Sequence, residues 1–183
     1  MINLYIANLG AYNRGHLIGA WVTLPMDEDE LREKIKSILA EGDEQAIKCK
    51  EYYGPDEEVA IHDWECEIDG VEIGEYSNIF NLNELAERLD DLKDYQLKDL
   101  EAIAAATSND IDECLDILED GRYSIISDVD SEEDLGYAVV EEGHFSCNVP
   151  EELKNYLDYE AIGREWSMTY TIISSLKVAV EVF

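Results

Sequence analysis

The hydrophobic and polar positions of residues 1–70 predict three strands and one helix. The segment INLYIANLGAY alternates apolar and polar side chains from its first residue, and LIGAWVTLP predicts a second strand that would pair with it as a hairpin. A third strand is predicted in EVAIHDWE. Between the second and third strands, MDEDELREKIKSILAEG carries apolar residues at helical spacing, and we expect this helix to end at Gly42. These residues are therefore predicted to form a small α/β domain.

The middle of the chain, residues 71–107, is predicted to be helical. Leu85 and Leu89 fall on one face of a first helix, and Leu100 and Ile103 fall on one face of a second. The remaining positions of both helices are mostly acidic or small. A helical unit of this size has little core of its own, so we expect it to pack against a neighbour.

The C-terminal part, residues 108–183, mixes helices and strands. Ile111, Leu115 and Leu118 form one apolar stripe on its first helix, and Gly121 is suited to the left-handed conformation that ends many helices. A strand is then predicted in RYSIISDVD and a helix in SEEDLGYAVVEEG.

The closing residues predict one more helix and a hairpin. The helix begins at Pro150 and spans PEELKNYLDYEAIGREW, since proline is tolerated at the first helical position. The hairpin lies in TYTIISSLKVAVEVF, although its turn lacks the expected glycine or asparagine. The predicted fold class is α+β, in three small domains: an N-terminal α/β domain at 1–70, a central helical domain at 71–107 and a C-terminal α+β domain at 108–183.

The predicted helix at the start of the C-terminal part has an acidic polar face. Opposite the apolar stripe, one arc of the helix carries Asp112, Asp116, Glu119 and Asp120, with Glu113 at the edge of this arc. Like charges at helical spacing cost an isolated helix about 0.2–0.5 kcal/mol per pair, and Glu119 and Asp120 also oppose the helix dipole. The pattern works against folding, which indicates that it serves another purpose.

Composition extends this bias to the whole chain. The 183 residues contain 44 Asp and Glu but only 13 Lys and Arg, a formal net charge of −31, while a hydrophobic content of 46% indicates a folded protein. Such a charge repels nucleic acids and anionic membranes, so the expected partner is basic. The four cysteines include no CxxC pair, no signal peptide precedes MINLYIANLG, and we expect a reduced, cytoplasmic protein.

Candidate chemistry is weak, and we predict neither catalytic residues, cofactor nor metal site. GAYNRGH has the glycine spacing of a phosphate-binding loop but lacks its lysine, and it is better interpreted as a turn. DVDSEEDLGYAVVEE begins like a calcium loop, but Glu133 occupies the glycine position and Val139 that of the bidentate glutamate. The three histidines are scattered, and their spacing suggests no grouping with cysteine. Nothing supports an enzyme.

Several segments together resemble the ArdA antirestriction family. They are YIANLGAYNRGHLIGAWVTLP near the start, AIHDWE at 60–65, DLGYAVVEEG at 134–143 and VPEELKNYLDYEAIGRE at 149–165. They occur in the family's order and reach both ends of the chain, whereas the middle helices share only pattern and acidity. One departure is GREW at 163–166, where a sequence of the Gly-Arg-Asp-Leu type is commoner.

The resemblance implies an elongated, curved homodimer of three-domain chains, with the dimer contact beyond about residue 108. Family members are encoded on plasmids and conjugative transposons, and their carboxylates imitate DNA phosphates in the DNA groove of Type I restriction-modification enzymes. B-DNA carries one phosphate per about 1.7 Å, so the formal charge of a dimer would match about 105 Å of duplex. We call the candidate partner-binding carboxylates the acidic track: Asp112, Glu113, Asp116, Glu119, Asp120, Asp128, Asp130, Glu132, Glu133, Asp134, Glu141 and Glu142.

Two alternatives share the acidity. The first is an acidic interaction module that sequesters another basic or nucleic-acid-binding protein. The second is a halophilic enzyme, whose surface acidity would be an adaptation to salt. An antirestriction assay separates the first from DNA-groove mimicry, and unfolding at low salt would indicate the second.

Overall fold

The computed structural model describes residues 1–68, 70–108, 110–144 and 149–183. Within those ranges the chain forms two three-stranded sheets and eight helices, which confirms the predicted α+β class. The chain divides into two compact units, Met1–Leu92 and Lys93–Phe183. The division into three domains stays a prediction.

The first unit is a small antiparallel sheet covered by helices. Its central strand carries the predicted alternation, because Ile2, Leu4 and Ile6 are almost completely buried and share a core with side chains such as Leu31 and Leu82. The strand order is β2-β1-β3. In chain order the elements are β1 (Ile2–Asn8), α1 (Leu9–Asn13), β2 (Gly19–Leu24), α2 (Glu28–Cys49), β3 (Val59–Cys66) and α3 (Ile79–Asp90).

Two predicted boundaries in this unit are wrong, and buried Asn8 explains both. The first strand ends at Asn8 because its side-chain oxygen accepts a hydrogen bond from the backbone N–H of Ala11 at 2.8 Å and so caps α1. Helix α2 continues past Gly42, since this glycine is buried where any Cβ would overlap the Asn8 amide. The helix instead ends at Cys49, and Lys50 caps it in the left-handed conformation at φ 61°.

A half-buried ion pair fixes the loop that follows α2. The Asp56 carboxylate accepts two hydrogen bonds from the Arg14 guanidinium, with N···O distances of 2.9 and 2.6 Å. The guanidinium holds the pKa of Asp56 below its ordinary value, against the opposing effect of burial. One of the few basic residues is thus used on an interior contact.

The second unit combines an antiparallel sheet, of order β4-β6-β5, with five helices in its described part. The predicted closing hairpin is confirmed, and Lys177, at φ 53°, adopts the conformation that glycine or asparagine would usually supply. In chain order the elements are α4 (Asp94–Thr107), α5 (Ile111–Asp120), β4 (Tyr123–Ser127), α6 (Glu132–Glu141), α7 (Glu151–Lys154), α8 (Tyr159–Trp166), β5 (Thr171–Ile173) and β6 (Val178–Val182).

The predicted single helix from Pro150 to Trp166 is wrong, because the structure divides it into α7 and α8. The Asp158 carboxylate accepts a hydrogen bond from the backbone N–H of Ala161 at 3.0 Å and starts α8 afresh. An aspartate side chain at this position interrupts the helix, because its carboxylate takes a backbone N–H that would otherwise bond to a helical carbonyl.

Helices α6 and α8 cross at two glycines. A Cβ at Gly136 would overlap the carbonyl oxygen of Tyr159, and a Cβ at Gly163 would overlap that of Glu132. The two backbones therefore approach more closely than any side chain allows. Tyr137 stacks on Tyr159 beside this crossing, with ring centroids 3.8 Å apart.

We expect Gly163→Ala to destabilise the protein by about 1–3 kcal/mol, because the added methyl group must force the two helices apart. This loss should exceed the roughly 1 kcal/mol that alanine gains over glycine inside a helix. Denaturant unfolding measures the change. Gly74→Ala is the control, since a Cβ there would lie 3.7 Å from the Ser77 hydroxyl, an ordinary contact. Equal unfolding midpoints for Gly163→Ala and the parent would contradict the close crossing.

Candidate functional site

Helix α5 presents its carboxylates to solvent as predicted. Ile111, Leu115 and Leu118 are buried, as is Ile117, which the predicted stripe did not include. The acidic residues of the opposite face are all exposed: Asp112, Glu113, Asp116, Glu119 and Asp120. The apolar face thus anchors the helix in a fixed orientation.

Both ends of α5 are set by local contacts. The Asp110 side chain accepts a hydrogen bond from the backbone N–H of Glu113 at 2.9 Å, and Gly121 takes the left-handed conformation at φ 65°. No basic residue lies in the last turn of the helix itself. Just beyond it, Arg122 donates to the Asp120 carboxylate at 3.1 Å. This exposed contact offsets only part of the charge there, because exposed ion pairs are weak.

The start of α6 is held by a reciprocal pair of hydrogen bonds. The Ser131 hydroxyl accepts from the Asp134 backbone N–H at 3.2 Å and donates to the Asp134 carboxylate at 2.6 Å. The backbone N–H of Asp130 also donates to this carboxylate, at 3.3 Å. The Ser131 hydroxyl is the main reason that the pKa of Asp134 lies below its ordinary value, and burial acts in the opposite direction. Asp134 is therefore an anion that also caps its helix.

A shallow depression of about 370 Å³ lies between the end of β4 and one side of α6. It brings together four members of the acidic track, namely Asp128, Asp134, Glu141 and Glu142. Its described lining contains no residue of α5. Residues of the acidic track thus lie on at least two surfaces of the second unit, the outer face of α5 and this depression.

Besides Arg122, two basic residues of α7 and α8 contact members of the track on α6. Arg164 contacts Glu132 at 3.3 Å, and Lys154 contacts Glu141 at 2.8 Å. Each base also pairs within or beside its own helix, Arg164 with Glu160 at 3.0 Å and Lys154 with Glu151 at 3.0 Å.

These contacts are partly visible in the sequence. The pairs within α7 and α8 have the three- and four-residue spacing of helical ion pairs. The contacts to α6 join distant parts of the chain, and no spacing reveals them.

The pKa of Lys154 is raised by its two carboxylate partners, with the hydrogen bond to Glu141 as the larger cause and that to Glu151 as the next.

The first unit contains one group of metal-ligating side chains that spacing did not indicate. Among the described residues, His16, Cys49 and Glu51 place their ligating atoms within 4.8 Å of one another. This group is separate from the acidic track, which belongs entirely to the second unit.

No helix in the described part of the chain combines the length and apolar character needed to cross a membrane. The geometry defines an acidic α+β protein that displays fixed carboxylates on helices anchored by apolar faces. The family model of the antirestriction protein ArdA matches residues 4–177, and the chain belongs to this family. The predicted family is thereby confirmed. None of the curated proteins matches the chain.

We expect Ser131→Ala to raise the pKa of Asp134 toward its ordinary value of 3.8, because the strongest hydrogen bond to the carboxylate is lost. The lowered pKa stabilises the fold above that ordinary value, and this contribution is lost as the pH falls through the pKa of the folded state. At neutral pH the variant should lose about 0.5–2 kcal/mol of unfolding free energy, as is usual for a lost N-cap.

Carboxyl carbon NMR titration reports the pKa directly, and denaturant unfolding at neutral pH reports the stability. Ser127→Ala is the control, since Ser127 is an exposed residue at the end of β4. If Asp134 titrates at the same pH in the parent and in Ser131→Ala, the assigned cause is wrong.

Proposed function

We propose that this protein is a DNA mimic that occupies the DNA-binding groove of Type I restriction-modification enzymes and inhibits them. Membership of the antirestriction family supports the general role, and the formal net charge of −31 supports a basic binding site as the target. The protein would act without catalysis, in the bacterial cytoplasm, and protect incoming DNA of a mobile element.

The charge density of α5 is the observation that carries the proposal. The helix has 10 residues and is therefore about 15 Å long. Its exposed face carries five carboxylates, one per about 3 Å of axis, and each strand of B-DNA carries one phosphate per about 3.4 Å. The five are Asp112, Glu113, Asp116, Glu119 and Asp120. A groove that binds phosphates by charge would meet a similar linear density on this helix.

Inhibition by this route is competition that needs no sequence readout. Phosphate contacts give a DNA-binding protein affinity and position, whereas base contacts give it specificity. A protein that copies only phosphates can therefore compete for grooves that recognise different sequences. Long-range attraction between the acidic inhibitor and a basic groove should also make association fast and sensitive to salt.

The proposal includes a homodimer with its contact beyond about residue 108. Several large apolar side chains of the second unit are exposed and could be covered in such a contact, including Tyr156 at 85% and Met168 at 84%. A dimer would double the charge presented to the enzyme. Sedimentation equilibrium tests this part separately, since a monomer at micromolar concentration would exclude the dimer but leave groove occupation possible.

We expect combined neutralisation of α5, by Asp112→Asn, Asp116→Asn, Glu119→Gln and Asp120→Asn, to weaken binding to a purified Type I methyltransferase. Exposed ion pairs contribute about 0.2–1 kcal/mol each, so four should be worth about 1–4 kcal/mol, or about 5- to 1000-fold in Kd. Displacement of fluorescently labelled DNA from the methyltransferase measures the change. The affinity of the variant should also fall less steeply with salt than that of the parent.

The matched control changes four exposed glutamates of α2, Glu30, Glu33, Glu41 and Glu44, to glutamine. It alters the net charge equally but leaves α5 intact, so equal losses from both variants would mean that total charge matters and the α5 surface does not. Failure of the parent to displace DNA at any concentration would overturn DNA-groove mimicry. In that case, survival of unmodified phage in a restricting host that expresses the protein distinguishes antirestriction by another route from sequestration of a different basic protein.

A further inference from the structure

Three side chains of different chemistry converge in the first unit. His16 lies in the connection between α1 and β2, Cys49 is the last residue of α2, and Glu51 follows two residues later. The imidazole Nε2 of His16 is 3.0 Å from a carboxylate oxygen of Glu51, and the Cys49 sulfur lies within 4.8 Å of both ligating atoms.

The backbone fixes this convergence from both sides. At the end of α2, Lys50 takes the left-handed conformation at φ 61°, and the N–H of Glu51 donates to the carbonyl of Ala46 at 2.8 Å. This reversal of the backbone direction brings the side chains of Cys49 and Glu51 close together. On the other side, the backbone N–H of His16 donates to the carbonyl of Ala11 at 2.9 Å. The two segments are thus preformed, and a ligand need not order them.

The donor set matches one class of metal ion. Zn²⁺ accepts thiolate sulfur, imidazole nitrogen and carboxylate oxygen, whereas Mg²⁺ and Ca²⁺ select oxygen ligands. Tetrahedral bonds of about 2.0–2.3 Å separate zinc ligands by about 3.3–3.8 Å. Present separations of 3.0 to at most 4.8 Å reach this range with side-chain shifts of about 1 Å or less.

The surroundings also favour a cation. The side chains of His16 and Glu51 are 25% and 44% exposed, so an ion can reach them from solvent. The C-terminal end of a helix carries a partial negative charge, and Cys49 lies at that end of α2. The Gln45 amide lies 3.4 Å from the Cys49 sulfur, where it can orient that ligand.

We propose that His16, Cys49 and Glu51 bind Zn²⁺, with water at the fourth coordination position. The ion joins the α1–β2 connection to the end of α2 and so stabilises the first unit. This site is independent of the proposed inhibition, because none of its ligands belongs to the acidic track.

Titration of the metal-free protein with Co²⁺ tests the site, since only a thiolate ligand gives the sulfur-to-cobalt charge-transfer band in the near ultraviolet. Excess Mg²⁺ suppresses loose condensation on the acidic surface. We expect the band to saturate at one Co²⁺ per chain, to disappear when Zn²⁺ is added, and to be absent in Cys49→Ser. His16→Gln and Glu51→Gln should each weaken Co²⁺ binding by at least about tenfold. Even changes to residues that only hydrogen-bond to metal ligands lower metal affinity about 10- to 100-fold.

Cys66→Ser is the matched control and should keep the band, because Cys66 lies at the end of β3 and is outside the group. Zn²⁺ should also raise the Tm of the parent more than that of Glu51→Gln, as expected for a ligand that binds only the folded state. Absence of the band in the parent, or its persistence in Cys49→Ser, would overturn the proposal. The measurement on the parent decides the question even if a variant fails to fold.

Discussion

Mutual repulsion among carboxylates is the constraint to which every other feature of this protein must conform. With 44 acidic and 13 basic residues, pairing cannot neutralise the chain, so each acidic helix depends on local contacts. Backbone N–H groups at helix starts bind acidic caps at Asp27, Asp110 and Asp158, where the helix dipole favours negative charge. Apolar faces then hold the helices in place. Two of the few bases, Arg164 and Lys154, each contact two carboxylates.

The two units manage this repulsion differently. Helix α2 mixes both signs of charge and contains ion pairs at helical spacing, such as Lys36 with Glu33, so its own charges partly compensate one another. Helix α5 contains no base in its own sequence, and Arg122, just beyond its end, pairs with Asp120. The sequence of α5 itself thus supplies only acidic charge, on a helix anchored by its buried apolar face.

Local sequence signals predicted the elements well and their interactions poorly. The stripe of α5 and its stop at Gly121 were correct because helical periodicity and a left-handed glycine are properties of short segments. Gly42 does not end α2 as predicted, because it allows a close approach to Asn8, a residue more than thirty positions away. In the sequence, a glycine used for packing cannot be distinguished from one that ends a helix. The grouping of His16 with the end of α2 was missed for the same reason: it depends on the tertiary path of the chain. On the acidic surface, exposure of the α5 carboxylates followed from periodicity, while the contacts of α6 with Lys154 and Arg164 did not.

The same repulsion that weakens α5 can become binding free energy. Closely spaced fixed charges attract a concentrated layer of counterions, and a basic groove that replaces those ions releases them, which is the main electrostatic source of affinity in DNA binding. A flexible acidic tail would spread its charges apart and hold fewer ions. The charges of α5 cannot spread in this way, because buried side chains such as Leu115, at 0% exposure, fix the helix to the core. The helix therefore keeps about one charge per 3 Å of its axis. The apolar stripe and the acidic face are therefore parts of one arrangement, in which hydrophobic burial maintains the charge spacing on which the proposed binding to a basic groove depends.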